Sequence, residues 1–151
     1  MWIPDFIAPT VDGGQVRVGG ANGTRQVLIY LSPTCKFCVQ SMPFIVEMDR
    51  FAKTYGDLEV VGLTRTNDFA MAQFVKKYDI KFPVAVVAED RLVNLLKFGP
   101  TPAFLTVDKL GRVSYAKIGM IESSKDAALI MLHAVRTEAV AKAQAPRRLQ
   151  Q

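Results

Sequence analysis

The sequence predicts an α/β fold in which a central mixed β-sheet is flanked by helices and preceded by an N-terminal β-hairpin extension. Three observations support that prediction: apolar runs typical of buried strands, segments of helical periodicity between them, and turn residues at their boundaries. With 151 residues, half of them hydrophobic, the chain has material for one domain with a sizeable core. We therefore expect a single domain over 1–151, with its core at about 3–140 and a frayed basic tail at 141–151.

The first half of the chain begins with a predicted hairpin and continues as strand, helix and strand. Asp12-Gly13-Gly14 predicts the hairpin turn between IAPTV and QVRV. VLIYL (27–31) and LEVVGL (58–63) are apolar runs typical of strands buried on both faces. Between them lies a predicted helix that ends near Gly56. Its apolar face is predicted to contain Phe44, Met48, Phe51, Ala52 and Tyr55.

The next segments continue the alternation of helix and strand. Asn67 or Asp68 can cap a helix whose face contains Met71, Phe74, Val75 and Tyr78. FPVAVVA (82–88) is compatible with a short strand or an extended loop, and RLVNLLKF (91–98) with a short helix.

A hairpin and a final helix complete the fold. AFLTV (103–107) and RVSYAKI (112–118) flank Asp108-Lys109-Leu110-Gly111 as predicted antiparallel strands. The last helix follows Ser123, with Asp126 in a variant of the capping box. Its predicted apolar face contains Ala128, Leu132, Val135 and Ala139.

Composition and charge exclude several function classes. The formal net charge of +5 is partly local to Arg147 and Arg148, and no basic run with interleaved aromatic residues appears, so we expect no nucleic-acid partner. No segment approaches the ~20 apolar residues that cross a bilayer. The first ten residues lack the regions of a signal peptide, so we expect either a cytoplasmic protein or a chain that begins after a removed leader or anchor.

Both cysteines lie in SPTCKFCVQSMP (32–43), where the first buried strand turns into its helix. In open α/β sheets this carboxyl-end turn is where ligands and chemistry usually lie. Cys35 is predicted at the helix N-terminus, where the helix dipole and unpaired N–H groups stabilise a thiolate. Cys38 lies one turn further on, shielded by the helix. We therefore expect Cys35 to attack a partner disulfide and Cys38 to resolve the mixed disulfide.

The neighbours of the cysteines are predicted to support this chemistry. Pro33 keeps the approach to the helix extended, and Pro43 removes one N–H from the helix ladder, which predicts a kink. Lys36 adds positive charge that favours the Cys35 thiolate. Thr34 and Phe37 complete the set of supporting positions.

Other uses of the two thiols fit the sequence less well. A zinc site needs four ligands, and the chain offers one histidine, His133, far along in the last helix. A disulfide that closes four residues gains little loop entropy, which disfavours a purely structural role. A single histidine on a helix is also a weak candidate for a catalytic base. We expect thiol redox chemistry with no metal and no cofactor.

The chain resembles the thioredoxin-like superfamily and, within it, the TlpA/ResA/CcmG-type thiol–disulfide oxidoreductases related to the AhpC/TSA grouping. The resemblance covers roughly residues 3–140 and is carried by PDFIAPTVDGGQV, VLIYLSPTCKFCVQSMPFI, VVGL, KFP, FGPTPAFLTVDKLGRV and KIG. It implies a thioredoxin-like fold in which Thr101-Pro102 forms a cis peptide packed against the cysteines. It further implies that the Thr101 backbone pairs with an extended substrate peptide.

The resemblance also implies partners and a location. Relatives act on protein dithiols and disulfides together with a redox partner, in extracytoplasmic protein or cytochrome maturation. We therefore expect a monomer in an extracytoplasmic space, periplasmic or held by a membrane anchor outside the given sequence.

Three positions depart from the family pattern. Thr34 stands where the residue before the first cysteine is often Trp, Ile29 where many thioredoxins bury an Asp, and Ser41 where ResA- and CcmG-like proteins commonly have Glu. Both usual proton acceptors for Cys38 are therefore missing. We expect a raised pKa for Cys38 and slow resolution, which a glutamate at position 41 would accelerate if that position faces the thiols.

Two other functions remain as alternatives. A peroxiredoxin-type peroxidase is supported by the shared fold and by Ser32, but Leu28 stands where its motif has Pro. A non-redox binding module on the same fold is compatible with the missing acids, whereas the intact cysteine pair beside Thr101-Pro102 disfavours it.

Overall fold

The computed structural model describes residues 2–19, 23–88, 90, 91, 94 and 100–136. Its elements are β1 (Phe6–Pro9), β2 (Gln15–Val18), β3 (Arg25–Tyr30), α1 (Lys36–Tyr55), β4 (Leu58–Thr64), α2 (Phe69–Lys77), β5 (Val84–Val86), β6 (Ala103–Val107) and β7 (Val113–Ile118). A last helix, α3, is described over 124–136. The predicted helix at 91–98 lies mostly outside the described residues, as do Ala139 and the tail at 141–151. The predicted domain limits stay a prediction.

A five-stranded sheet in the order β5-β4-β3-β6-β7 forms the centre of the molecule. Strand β3 pairs parallel to β4 and antiparallel to β6, which makes the sheet mixed as predicted. All six residues of β3 are buried. A strand with neighbours on both edges and apolar side chains on both faces is the element that organises the core.

The predicted N-terminal hairpin is present as a separate two-stranded sheet of β1 and β2. Buried Gln26 of β3 attaches it: the Gly19 N–H donates to Gln26 Oε1 at 2.9 Å, and Gln26 Nε2 donates to the Arg17 carbonyl at 2.9 Å. The Val11 N–H donates to the Val84 carbonyl at 3.0 Å. The hairpin therefore lies across the sheet and reaches its β5 edge.

Alternate residues of β3 enter two different apolar clusters, as the two-residue period of a strand requires. Val27 and Ile29, together with Leu31 directly after the strand, lie in the cluster that contains the buried faces of the helices, including Cys38. Leu28 and Tyr30 lie in the cluster that contains Ile3, Ala8 and Val18 from the hairpin side. The cysteine segment thus belongs to the helical side of the sheet.

The apolar face of α1 differs from the predicted one. Its buried residues are Cys38, Ser41, Met42, Ile45, Met48, Asp49 and Ala52. Met48 and Ala52 were predicted correctly, and Phe44 is partly buried against the core. Phe51 and Tyr55 are instead more than 40% exposed and stack on each other with ring centroids 6.0 Å apart. The buried stripe starts at Cys38 and continues at helical spacing to Ala52, so Phe51 and Tyr55 fall outside it.

The predicted face of α3 was out of phase by one residue. The structure buries Ala127, Ile130, Met131 and Ala134, and leaves Ala128 and Leu132 exposed. Of the predicted residues, Val135 is partly buried and packs against the core. The predicted start is confirmed, because the Asp126 N–H donates to Ser123 Oγ at 3.2 Å. The Asp126 carboxylate in turn accepts from the Glu122 N–H at 2.9 Å.

Helix α2 follows the prediction more closely. The Met71 N–H donates to Asp68 Oδ1 at 2.9 Å, so Asp68 is the cap, and Met71 and Phe74 are buried. Among the described residues, no helix has the combined length and apolarity needed to cross a membrane.

Candidate active site

Cys35 is the N-cap residue of α1 and is partly exposed. Its backbone is extended, with φ −87° and ψ 111°, and its N–H donates to the Ser32 carbonyl at 3.2 Å. The sulfur occupies the place of a capping side-chain oxygen, since Cys35 Sγ accepts from the Cys38 N–H at 3.1 Å. Cys35 Sγ therefore lies at the positive end of a 20-residue helix, as predicted.

Cys38 is fully buried in the helix-side cluster that also contains Ile29 and Leu31. The pKa of the Cys38 thiol is raised from 9.0 to about 12, chiefly by burial and further by the hydrogen bond with Cys35. Hydrogen bonds with the Ser32 backbone and the Thr101 side chain act in the opposite direction. The expected raised pKa of Cys38 is confirmed, and this thiol is almost wholly protonated near neutral pH.

Thr101 and Pro102 lie beside Cys35 although they are far from it in sequence. The Thr101-Pro102 peptide is cis, as the family resemblance implied. Cys35 Sγ donates to the Thr101 carbonyl at 3.3 Å. The antiparallel pairing of Tyr30 with Ala103 explains this proximity, because the chain leaves β3 toward Cys35 where Thr101-Pro102 leads into β6. Pro102 itself is buried.

The five supporting positions have different environments. Pro33 is partly buried and Thr34 exposed, with Thr34 Oγ1 3.2 Å from Ser32 Oγ. Lys36 is exposed and Phe37 is 50% exposed, so both flank Cys35 on the surface. Pro43 lies on the exposed side of α1, which continues as one helix to Tyr55.

Ser41 has a role in the structure that the sequence did not suggest. It is fully buried, and its Oγ donates to the Phe37 carbonyl at 2.8 Å and accepts from the Ile121 N–H at 3.0 Å. In the sequence, Ser41 was notable only because relatives commonly have a glutamate at that position. A partner 80 residues away leaves no local pattern that could have predicted the contact.

The second missing carboxylate is replaced by an apolar contact. Ile29 is fully buried near the C-terminal end of β3, between Gly62 of β4 and Phe104 of β6. None of the groups that shift the pKa of Cys38 is a carboxylate. The site thus combines an accessible sulfur at a helix N-terminus with a dry, protonated thiol one turn further on.

Comparison with known proteins supports this description. A protein-family model described as Redoxin matches residues 1–129. Thiol-disulfide oxidoreductase ResA from Bacillus cereus is 30% identical over 117 residues, which cover 77% of this chain and 67% of that protein. The protein of the same name from Geobacillus kaustophilus is 25% identical over 111 residues, covering 73% and 63%. The chain spans about two thirds of the length of these relatives.

Solved structures agree on the fold. A thioredoxin-family thiol:disulfide interchange protein from Chlorobium tepidum has a TM-score of 0.74 at 20% identity, with 89% of this chain and 95% of that chain covered. The exposed lipoprotein thioredoxin of Streptococcus pneumoniae has a TM-score of 0.67 at 26% identity, with 85% and 98% covered. The predicted thioredoxin-like fold is confirmed. The chain belongs to the Redoxin family and, with its paired thiols, is a thiol–disulfide oxidoreductase.

Proposed function

We propose that the protein exchanges disulfides with protein partners through the Cys35–Cys38 couple, with Cys35 as the nucleophile and Cys38 as the resolving thiol. The difference in exposure between the two sulfurs carries this proposal. Cys35 is partly exposed at the N-terminus of α1, whereas Cys38 is fully buried behind it. A partner disulfide can therefore reach Cys35 and not Cys38.

The reaction is a two-electron exchange in two steps. The Cys35 thiolate attacks one sulfur of the partner disulfide, the partner S–S bond breaks, and the other partner sulfur leaves as a thiolate that takes up a proton. Cys38 then loses its proton and attacks Cys35 Sγ, which releases the second partner thiol. The protein ends as the Cys35–Cys38 disulfide and the partner as a dithiol. The reverse sequence oxidises a partner dithiol.

The contact between Cys35 Sγ and the Thr101 carbonyl supports a substrate-binding role for Thr101 and Pro102. An extended partner segment that pairs with the Thr101 backbone would carry its disulfide directly to Cys35. Pro102 has no N–H to compete for that pairing. Exposed Lys36 and Phe37 give such a segment one positive and one apolar contact beside the sulfur.

Trapping experiments on two matched variants test the assignment. Cys38→Ser should accumulate a mixed disulfide with a model protein disulfide such as insulin, because the resolving step is removed. Cys35→Ser should form none and should have no reductase activity. A mixed disulfide at Cys38 of the Cys35→Ser protein, formed at a comparable rate, would reverse the assignment. Hydrogen peroxide consumption measured in parallel should be slow, and consumption as fast as insulin reduction would favour a peroxidase.

We also infer a monomer that works in an extracytoplasmic space, periplasmic or attached by a membrane anchor. The sulfurs and the Thr101 carbonyl all come from one chain, which supports action without a second copy. The name of the pneumococcal relative, an exposed lipoprotein thioredoxin, supports the location. Light scattering on the purified protein and fractionation of the source cells test the two inferences, and a stable dimer or a cytoplasmic pool would contradict them.

A further inference from the structure

We propose that Ser41 is a positioning residue for Cys38. Its hydroxyl links helix α1 to the backbone at Ile121, and this link, which we call the clasp, keeps water away from the Cys38 thiol. The clasp consists of the Phe37 carbonyl, Ser41 Oγ and the Ile121 N–H. This inference rests on the proposed function of Cys38 as the resolving thiol.

The geometry of the clasp uses the serine hydroxyl in both directions. Ser41 Oγ donates to the Phe37 carbonyl at 2.8 Å and accepts from the Ile121 N–H at 3.0 Å. The first bond holds a residue that stands between the two cysteines. The second holds the segment that leads into α3. Ser41 therefore ties the redox turn to a part of the chain that is remote in sequence.

The same segment is tied to the other side of the site. The Gly119 N–H donates to the Pro102 carbonyl at 2.9 Å, two residues before the Ile121 contact. Residues 119–121 are thus held at one end by the peptide beside Cys35 and at the other by the helix that carries Cys38. The clasp closes a connection between the two halves of the site.

The position of Ile121 explains how the clasp acts on Cys38. The Ile121 side chain is fully buried and belongs to the same apolar cluster as Cys38 and Ile29. Burial is the main cause of the raised pKa of Cys38. If the segment at Ile121 moves away, water gains access to this cluster and the thiolate becomes easier to form.

Removal of the hydroxyl leaves a buried N–H without an acceptor, which favours local opening because the N–H can then bind water. We expect Ser41→Ala to raise the alkylation rate of Cys38 by about tenfold. The pH dependence of alkylation should shift toward lower pH. Ser41→Thr retains the hydroxyl and should restore slow alkylation.

The measurement uses iodoacetamide on proteins that carry Cys35→Ser, so that Cys38 is the one thiol present. Ser114→Ala serves as the matched control, since it removes another serine hydrogen bond, 2.5 Å from Thr106 Oγ1 in the β6–β7 hairpin. In this control, alkylation of Cys38 should remain slow. An unchanged rate in Ser41→Ala, an equal increase in Ser114→Ala, or a Ser41→Thr protein as reactive as Ser41→Ala would each overturn the proposal.

Hydrogen exchange of the unmodified reduced protein gives a second test that needs no variant. The Ile121 amide should exchange far more slowly than the amide of exposed Lys125 in the first turn of α3, whose N–H has no acceptor within the helix, and equal exchange would overturn the clasp. Neither test involves a partner protein. Failure of the clasp would therefore leave the trapping result with Cys38→Ser intact, and failure of the exchange function would leave the alkylation result intact.

Discussion

Strand β3 has buried polar groups at its N-terminal end and leads, beyond its C-terminal end, to a buried thiol in α1, and the two ends differ in what surrounds those groups. At the N-terminal end, Arg25 is 5% exposed and donates to Asp57 at 2.8 Å, and Gln26 is fully buried and donates to Glu59 at 2.6 Å. At the C-terminal end the chain continues to the fully buried thiol of Cys38. No carboxylate is among the groups that shift its pKa.

The difference follows from the chemistry of the buried groups. The guanidinium of Arg25 cannot lose its proton in a protein, so its burial is tolerated because an acid accompanies it. A thiol is neutral in its ordinary state and can be buried without a partner. The cost appears only when Cys38 must ionise. The fold therefore places an acid beside the permanent charge of Arg25 and no carboxylate among the groups that shift the pKa of Cys38, whose charge would form only in the proposed resolving step.

The largest expected effect comes from a substitution that introduces a carboxylate near Cys38. Ile29→Asp places a carboxylate in the same apolar cluster as Cys38. We expect the free energy of unfolding to fall by about 3–5 kcal/mol, because a buried aliphatic side chain is lost and a polar one is buried. Resolution of the mixed disulfide should become faster, because the carboxylate can accept the Cys38 proton. Denaturant titration and stopped-flow exchange measure the two quantities.

Ile29→Asn is the matched control for that prediction. It has nearly the size of aspartate and should destabilise the fold by a similar amount, but it cannot accept the proton. Equal resolution rates for the two variants would mean that an acid at this position does not reach the thiol.

The pH dependence of resolution should distinguish the unpaired end in the unmodified protein. The pKa of Cys38 is raised to about 12, so the reactive thiolate is a minor species throughout the neutral range. Its fraction grows with pH, and the resolution rate should rise about tenfold per pH unit, roughly a hundredfold from pH 7 to pH 9. Stopped-flow release of a chromogenic thiol measures this rate. A plateau near pH 8 would show that the proton is accepted by another group.

Removal of the acid that pairs with Arg25 should lower the free energy of unfolding and leave the reactions of the two thiols unchanged. Asp57→Ala removes an acceptor of buried Arg25, while Arg25 Nη1 still donates to the Val135 carbonyl at 2.7 Å. Asp57 is 38% exposed, and solvent screening limits the expected loss to about 1–2 kcal/mol. The resolution rate at fixed pH should not change. A slower or faster rate would mean that the two ends of β3 are coupled.

The same pair has an acid dependence with a definite sign. The Lys109 hydrogen bond, followed by the Arg25 contact, lowers the pKa of Asp57 below 3.8, against the opposing effect of burial. The stabilisation is therefore present above about pH 4 and is lost as the pH falls through the lower native value. Wild type and Asp57→Ala should converge in stability toward pH 2.

The second partner of Asp57 should matter less. Lys109→Ala, which leaves the Arg25–Asp57 pair in place, should lower the free energy of unfolding by less than about 1 kcal/mol.

The sequence predicted the features that depend on neighbouring residues. The apolar runs of β3 and β4, the glycine turns of the hairpins and the caps at Asp68 and Ser123 are all short-range patterns. The cysteine pair at the start of α1 followed from its place after a buried strand. The family resemblance supplied the contact of Thr101-Pro102 with Cys35, which spacing alone would not predict.

The features that were missed depend on tertiary contacts. The phase of a helix face depends on the sheet beneath it, so Phe51 and Tyr55 were misplaced although α1 itself was predicted. The Arg25 guanidinium instead lies over the Tyr55 ring, with Arg25 Cζ 5.0 Å from the ring centroid. The Ser41 hydroxyl has its acceptor role through Ile121, far along the chain. A glutamate at position 41 would break that contact, so its effect on resolution cannot be separated from the loss of the clasp.

The smallest expected effect concerns Gln26, the second buried polar group of the paired end. Its amide uses three contacts: Nε2 donates to the Arg17 carbonyl and to Glu59 Oε1, and Oε1 accepts from the Gly19 N–H. Glu59→Gln keeps an acceptor but removes its charge, so we expect a loss of about 0.5–1 kcal/mol in the free energy of unfolding. Glu59→Leu removes the acceptor and should cost more, about 1–2 kcal/mol, because one buried amide hydrogen is left unpaired. Thermal and denaturant unfolding measure both. If the two variants lose the same small amount, solvent already satisfies this hydrogen, and the pairing at the N-terminal end of β3 is confined to Arg25, whose fixed charge leaves it no alternative to an acid.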